Sequence, residues 1–515
     1  PGFINLRLKP EFLAAALDEL LGDERLGVPA AAEPHRVALD FSSPNLAKEM
    51  HVGHLRSTIT GDCIARLLDF LGHDVARINH VGDWGTQFGM LLQHVRESHP
   101  QVMRDPASFH LGDLEEFYKA AKLRFDTDAD FADAARRAVV DLQTGEPAAR
   151  AVWRAFCDES LRHCHEIYQL LGVQLTDVGE SSYNDMLPQI VADLRRAGLA
   201  VESEGAWCVF PAGFKARDGK PLPMIVQKRD GGYNYDTTDL AALRHRVSAE
   251  KATRLIYVTD LRQRQHFDML FAVARAAGWA SPEVRLEHMG FGMILGDDRR
   301  PFRTREGETV KLKDLLDEAE RRALALLETN EADPEKRRGF SPEQMRRIAR
   351  AVGIGAVKYA DLSHNVASDY VFDWEQMLAL EGNTGPYMMY AYARVRSIGR
   401  KAGVDFDAQP TDRTPWVSSS ILLDHPSEIA LAKMLLRFAE VVQQVADELR
   451  PNLLTDYLYE LSKTFSTFYD RRTGVRVIDA EPDAVRASRL ALCNLTGRTL
   501  RLGLGLLGIE VVEQM

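Results

Sequence analysis

Val37-Ala38-Leu39-Asp40-Phe41-Ser42-Ser43-Pro44-Asn45 and, six residues further on, His51-Val52-Gly53-His54 decide the fold. The first stretch is a short apolar run stopped by Ser-Ser-Pro-Asn, and it reads as a strand. The second opens a helix whose periodicity runs from about Gly53 to Leu71. A strand over Val75–Val81, a Gly82-Asp83-Trp84-Gly85 turn and a helix over Gln87–Glu97 repeat the unit. Strand and helix alternating at this spacing begin a parallel sheet, so the expected class is α/β.

Outward from this core the pattern changes twice. Upstream, Pro1 to Asp23 reads as a strand-like start and a helix, and Leu26 to Pro34 is an Ala/Pro-rich linker. Downstream, the βα alternation stops between about Pro100 and Leu222. That region is mostly charged helix, ending in strand-like pieces around Trp207-Cys208-Val209-Phe210, and reads as an insertion between two halves of the sheet. Alternation then resumes. A hairpin is expected over Pro223–Tyr235 around Asp230-Gly231-Gly232. A helix through Val247, a strand over Arg254–Thr259, a helix over His266–Ala277 and a strand over Val284–Met289 follow. After Lys311 helical periodicity holds nearly throughout, with one helix expected over Glu428–Leu449.

A chain of 515 residues exceeds one core, and two to four domains are expected. With 45% hydrophobic and 27% charged residues the composition is that of a soluble globular protein. No apolar run approaches the ~18–20 residues of a membrane span, and no signal segment opens the chain. A cytoplasmic protein without a membrane partner is the expectation. Five scattered cysteines suit free thiols. The cluster His163-Cys164-His165, with Cys157 before it, invites a metal, but neighbours on a helix point apart and no CxxC partner exists. A helix in the insertion is the better reading, and no protein metal site is expected. The net charge of -11 weighs weakly against indiscriminate nucleic-acid binding and leaves a specific RNA open, because only the local field matters. Basic runs at Lys336-Arg337-Arg338, Arg346-Arg347, Arg394 to Lys401 and Arg471-Arg472 read singly as solvated helix faces.

The chemistry-bearing feature is the His51-Val52-Gly53-His54 segment at the helix start. Backbone N–H groups there, aided by the helix dipole, favour a phosphate. Gly53 permits close approach of a nucleotide, and the two histidines can donate to charge building on an α-phosphate. Taken alone, the segment is explained as well by two helix-capping histidines.

The longer context carries a resemblance. Ser42-Ser43-Pro44-Asn45 through Lys48-Glu49-Met50-His51-Val52-Gly53-His54-Leu55-Arg56, and His80-Val81-Gly82-Asp83-Trp84-Gly85-Thr86-Gln87, resemble the nucleotide-binding motifs of arginyl-tRNA synthetases. So do Gly179-Glu180-Ser181-Ser182-Tyr183, Tyr257 to His266, Asp369 to Trp374 and Gly382-Asn383-Thr384-Gly385-Pro386-Tyr387, and the likeness spans nearly the whole chain. It implies a class I catalytic domain, Rossmann-like, over 35–383 with its insertion at about 100–222. A helical anticodon-binding domain over 384–515 and a remnant of an N-terminal domain with linker over 1–34 complete the division. The implied enzyme is an arginine–tRNA ligase, using ATP with Mg²⁺, L-arginine and tRNA(Arg), and expected to be a monomer. Most of the family's N-terminal domain is expected to be missing, whether the chain is natively short or a fragment.

The resemblance also implies roles. His51, Gly53 and His54 would meet ATP. The family's second lysine-bearing loop aligns with Pro301-Phe302-Arg303-Thr304-Arg305, where the key lysine position is Thr304. In family members lacking that lysine, the one just before the first histidine is thought to compensate. Here that residue is Lys48, with Arg303 and Arg305 as helpers; a solvated loop accounts equally well for the two arginines. Arginine itself needs carboxylates for a planar guanidinium. Glu180 and Asp239 are implied for that end, with Tyr235 one turn before Asp239. Asn45 and Gln263 would hold the α-amino or carboxyl end, and Asp40 lies at a strand's carboxyl end. Helix-start charge and strand-end capping are the plain alternatives for Asp239 and Asp40. A small-molecule nucleotidyltransferase, a class I enzyme for another amino acid and a non-catalytic synthetase-like tRNA-binding protein are the competing functions.

Overall fold

A computed structural model of the chain describes residues 7–106, 114–303, 310–407, 414 and 420–515. After α1 (Pro10–Gly22) the opening strand forms as β1 (Arg36–Asp40), buried on both faces from its second residue. Such a strand belongs in the middle of a parallel sheet with helices over both faces. α2 (Val52–Phe70) leads to β2 (Asp74–Val81), and α3 (Thr86–Ser98) follows. Three helices come next, α4 (Leu114–Thr127), α5 (Ala129–Thr144) and α6 (Pro147–Leu171), and then β3 (Thr176–Gly179). α7 (Leu187–Arg196) precedes a small antiparallel sheet of β4 (Ala200–Ser203), β5 (Ala206–Val209) and β6 (Met224–Gln227). α8 (Tyr235–Ser248), β7 (Arg254–Asp260), α9 (Arg264–Ala276) and β8 (Arg285–Phe291) resume the α/β rhythm.

The parallel sheet has the order β3-β2-β1-β7-β8. From β1 the chain moves to one side, and from β7 to the other. The crevice between their carboxyl ends is the switch point where open α/β sheets bind ligands. Beyond it β9 (Ile294–Leu295), α10 (Leu312–Ala332) and α11 (Pro342–Leu362) lead to β10 (Tyr370–Val371), which pairs with β9. α12 (Trp374–Leu378), α13 (Gly385–Ala402), α14 (Pro426–Leu436), α15 (Phe438–Glu448), α16 (Asn452–Phe468) and α17 (Asp483–Leu506) form the helical end.

Three expectations need correction. The βα rhythm does not stop between 100 and 222, because β3 extends the parallel sheet beside β2. Its four residues, Thr-Asp-Val-Gly, are short, polar and on the sheet's edge, so they carry no apolar signal. No hairpin forms over Pro223–Tyr235. β6 pairs with β5 instead, and the turn closed by Lys228 N–H on Gly232 C=O (2.8 Å) feeds straight into α8. The helix expected over Glu428–Leu449 is broken at Arg437, whose N–H bonds the Met434 carbonyl three residues back. The Tyr457 hydroxyl donates to that same carbonyl at 2.9 Å. Apolar spacing is similar on both sides of the break, so the sequence pattern passes through it.

Two buried cations tie the α/β part to the helices. Arg56 of α2 pairs with Asp361 of α11 at 3.0 Å, both side chains only 1% exposed, and donates to the Ser368 carbonyl at 2.8 Å. Lys358 of α11 donates to the carbonyls of Leu171 (2.7 Å) and Gly508 (2.5 Å), joining the end of α6 to the segment after α17. Burial pulls its ammonium down to about 8.

Candidate active site

His51 and His54 face each other across the start of α2, with ring centroids 4.1 Å apart. They form a reciprocal cap. His51 Nδ1 accepts the Gly53 N–H at 3.0 Å, and His54 Nδ1 accepts the His51 N–H at 3.0 Å. An imidazole whose Nδ1 accepts carries its proton on Nε2, so the cap sets both rings as Nε2–H donors. Burial, then His51 and Lys48, lower His54 to about 3 against the opposing pull of its backbone hydrogen bond, so it donates as a neutral ring at pH 7. The capping and phosphate-donor readings of this motif are therefore compatible. One element of the expected site changes. The Val52 N–H is taken by the Val310 carbonyl (3.0 Å) and the Gly53 N–H by His51, so these backbone donors are already engaged. The dipole and the imidazoles remain for an anion. Gly53 has a second reason to be glycine: a Cβ there would lie 2.8 Å from His51 Cε1. Any side chain would push the ring off the helix end.

Lys48 sits exposed on the turn before His51, its N–H bonded to the Asn45 carbonyl at 3.1 Å. Its ammonium lies 5.0 Å above the Tyr118 ring of α4, so a helix from the inserted segment helps aim it. Arg303 is exposed on the stretch that turns back along β9, anchored where Phe302 stacks on Phe372 at 4.9 Å. Thr304 and Arg305 lie outside the described residues, as does the expected strand-like start Phe3-Ile4-Asn5-Leu6.

The implied arginine-binding residues gather at the strand ends, but in different states. Asp40, closing β1, is 4% exposed and already partnered. Arg246 Nη1 reaches it at 2.8 Å, the Ser43 hydroxyl donates at 2.8 Å and His80 stands 3.6 Å away. Burial alone would raise Asp40; Arg246 and then His80 hold it at about 2 instead. Asp239, in the second turn of α8, meets His266 Nε2 at 2.7 Å, while Asp236 meets the other ring nitrogen at 3.2 Å. Burial opposes charge on His266, but these two carboxylates overcome it and lift the ring to about 9. Glu180 differs. It follows β3 directly, and among the described residues no side chain pairs with its carboxylate. Burial pushes it up to about 7, with Asp239 and Asp83 adding to the rise and His80 opposing it. Tyr235 is 59% exposed, its ring 5.0 Å from His266. Gln263 is exposed on the short turn after β7. Asn45 bridges to Gly82 beyond β1 and β2, and its side-chain oxygen accepts from Gln87.

Sequence reasoning missed the groups that organise these carboxylates: Arg246, His80, His266 and Asp83. Asp83 accepts the Ser181 N–H at 2.9 Å and the Ser181 hydroxyl at 2.5 Å. Gly179 must lack a side chain there, since a Cβ would lie 2.1 Å from Asp83 Oδ2. Two motifs about a hundred residues apart are thus one structure, which no local spacing reveals. The His163-Cys164-His165 cluster holds as a helix: His163 faces Glu159 at 3.2 Å, His165 faces Asp177 at 2.7 Å, and Cys164 is buried. Among the described residues no group of three or more His, Cys, Asp or Glu is arranged to hold a metal.

Residues 16–374 match the family described as tRNA synthetases class I (R), catalytic domain, and residues 388–515 match the DALR anticodon binding domain. The chain is 53% identical to the arginine–tRNA ligase of Synechococcus elongatus over 516 aligned positions, covering all of this chain and 86% of that protein. An arginine–tRNA ligase of Nostoc is 53% identical with the same coverage. Among solved structures, the arginyl-tRNA synthetase of Plasmodium falciparum superposes with a TM-score of 0.82 at 31% identity, covering 99% of this chain and 84% of that one. The Thermus thermophilus arginyl-tRNA synthetase gives 0.79 at 25% identity, covering 99% and 87%.

Proposed function

The chain belongs to the arginyl-tRNA synthetase family, and we propose on that premise that the crevice between β1 and β7 holds MgATP against His51 and His54 and arginine against Glu180 and Asp239. The chain is an arginine–tRNA ligase, with ATP, L-arginine and tRNA(Arg) as its substrates. The alternative of a non-catalytic tRNA-binding protein finds no support, since the whole-chain relatives are ligases.

In the first step an arginine carboxylate oxygen attacks the ATP α-phosphorus, and pyrophosphate leaves with the bridging oxygen. The two Nε2–H groups donate to the α-phosphate oxygens as charge builds there, at no cost of reorganisation because the cap has already fixed the rings. Lys48, with Arg303 and Arg305, balances the departing pyrophosphate. Mg²⁺ brought with ATP would add positive charge to the triphosphate beside these cations, without a protein site of its own. In the second step the 2′-hydroxyl of the terminal adenosine attacks the arginyl carbonyl and AMP leaves. Positioning and charge, rather than covalent help, do this work.

One observation carries the arginine assignment: Glu180 is half-buried and has no cation partner among the described residues. A guanidinium supplies that charge. Asp239, oriented through one oxygen by His266, presents the other. Tyr235 would cover the guanidinium, and Asn45 and Gln263 would take the α-amino and carboxyl groups. Asp40 acts at one remove, by holding Arg246 under the crevice floor. We retain the domain division at 1–34, 35–383 and 384–515, and place the enzyme in the cytoplasm as a monomer.

The test is ATP–pyrophosphate exchange with arginine, run with and without tRNA(Arg). Exchange only with both arginine and tRNA present is expected. Exchange driven equally well by an uncharged amino acid, or none under any condition, overturns the assignment of this crevice.

A further inference from the structure

The hairpin of α10 and α11 carries its cations in two ways. On α10, Lys313 pairs with Asp317 at 2.6 Å, and Arg321 and Arg322 both reach Glu318, at 2.7 and 2.6 Å. At the tip the pairing stops. Arg337 and Arg338 in the connecting loop, and Arg346, Arg347 and Arg350 on α11, are exposed. Among the described residues none of these five side chains has a carboxylate within 4.0 Å or a hydrogen-bond partner. Lys336 beside them has only a 3.7 Å contact with Asp333. Arg337 acts on Glu331 at longer range and Glu343 lies among the arginines, yet the six cations from Lys336 to Arg350 outnumber Glu331, Asp333, Glu335 and Glu343, a local positive excess on a chain of net charge -11.

The tip is built rather than loose. Glu331 accepts the backbone N–H groups of Arg338 (2.7 Å), Gly339 (2.9 Å) and Phe340 (3.3 Å), and Asp333 accepts that of Glu335 at 3.0 Å. Gly339 takes the left-handed turn, with φ 79°. Ser341 and Gln344 then cap α11 reciprocally. Arg346 and Arg350 stand one turn apart with Arg347 beside them, outward from the buried Ile348, Ala349 and Val352. The arginines therefore share a fixed platform.

Its place along the fold suits a long polyanion. α10 begins beside the histidine pair, where Leu312 N–H bonds the Met50 carbonyl at 3.0 Å. At 1.5 Å per residue its 21 residues carry the tip about 30 Å from that end. An RNA whose 3′ terminus enters the crevice has its backbone within that span. Guanidinium groups suit phosphate diesters because they bind two oxygens at once.

We propose that Arg337, Arg338, Arg346, Arg347 and Arg350 form a phosphate-backbone contact for the tRNA, about 30 Å along α10 from the crevice. This rests on the ligase reading, which the wild-type aminoacylation rate measured alongside tests separately. The experiment compares the full-length wild type with R346Q/R347Q/R350Q and with R337Q/R338Q, using a tRNA(Arg) transcript. The triple variant should raise the tRNA KM about tenfold or more while KM for arginine and ATP stays within about twofold. Each lost phosphate contact flattens the plot of log Kd against log salt by roughly 0.7–0.9. The triple variant should thus lose about 2–3 in slope and the double variant about 1–2. Replacing the same three arginines by lysine should restore most of the affinity, which a folding defect would not allow. Unchanged tRNA Kd and salt slope in both variants overturns the proposal, including the case in which the patch serves an acidic protein or an anionic membrane instead.

Discussion

Asp361 is a fully buried carboxylate and Glu180 a half-buried one, and the chain treats them oppositely. At the seam between α2 and α11, Asp361 receives Arg56 at 3.0 Å and the pair is closed to solvent. At the crevice, Glu180 receives no cation among the described residues and burial lifts it to about 7. Asp40, a neighbour in the same crevice, follows the seam's pattern and has Arg246. Asp83 also lacks a cation but is satisfied by Ser181, whereas Glu180 has neither among the described residues, which suits the guanidinium proposed for it. A paired buried acid speaks for architecture, whereas an unpaired one in a cleft speaks for function.

The largest effect should come from breaking the seam. Asp361→Ala leaves Arg56 buried and uncompensated, and should cost about 3–5 kcal/mol of stability. The double change R56M/D361L should recover most of it, as read from denaturant midpoints. If the single variant melts like the wild type, Asp361 is not under the constraint described. Next come the groups proposed to meet ATP. His54→Ala removes one preorganised donor and should slow exchange about 10²–10³-fold. Lys48→Met should fall in the same range; near-normal exchange in that variant would transfer its role to Arg303 and Arg305.

Breaking the crevice side of the comparison should act on binding. Glu180→Gln and Asp239→Ala should each raise arginine KM by roughly 30-fold or more, the equivalent of losing about 2–5 kcal/mol from a buried charge pair. ATP KM should move little, and an unchanged arginine KM would remove the residue from the pocket. The smallest effect is the sharpest discriminator. Glu180 must be ionised to hold a guanidinium, and its folded value near 7 is raised, so the proton competes with arginine below that point. Arginine KM should rise by up to tenfold per unit as pH falls below about 7 and level off above it. Glu180→Gln should flatten that limb; a wild-type KM flat from pH 6 to 8 would show that Glu180 does not titrate in the pocket.

The two regions were also unequally legible in the sequence. The helices announce themselves by periodicity: those expected over Leu312–Leu327 and Ala484–Leu504 form over Leu312–Ala332 and Asp483–Leu506. Even so, the break at Arg437 stayed hidden, because a tertiary hydroxyl from Tyr457 fixes a carbonyl that no local pattern marks. β1 was legible for the opposite reason: burial on both faces forces an apolar run. β3, polar and at the edge, was not. The histidine pair could be placed at a helix start, but its tautomers could not, since they depend on hydrogen bonds seen only in three dimensions. The resemblance put Glu180 and Asp239 together on the guanidinium and Asp40 at a strand end, with nothing to separate a paired acid from an unpaired one. The difference lies in Arg246 and His266, which come from elsewhere along the chain.

Lys358 sets a timetable for biosynthesis. Its two acceptor carbonyls belong to residue 171, made long before it, and residue 508, made 150 residues after it. At about 5–20 residues per second the ribosome needs roughly 8–30 s to cover that interval. Through all of it the nascent catalytic part holds an ammonium destined for burial with only one of its partners. The bond that seals Lys358 on its second side therefore forms only once residue 508, near the far end of the helical domain, has been made. A product interrupted before residue 508 carries a mark of incompleteness at its centre, well away from the break.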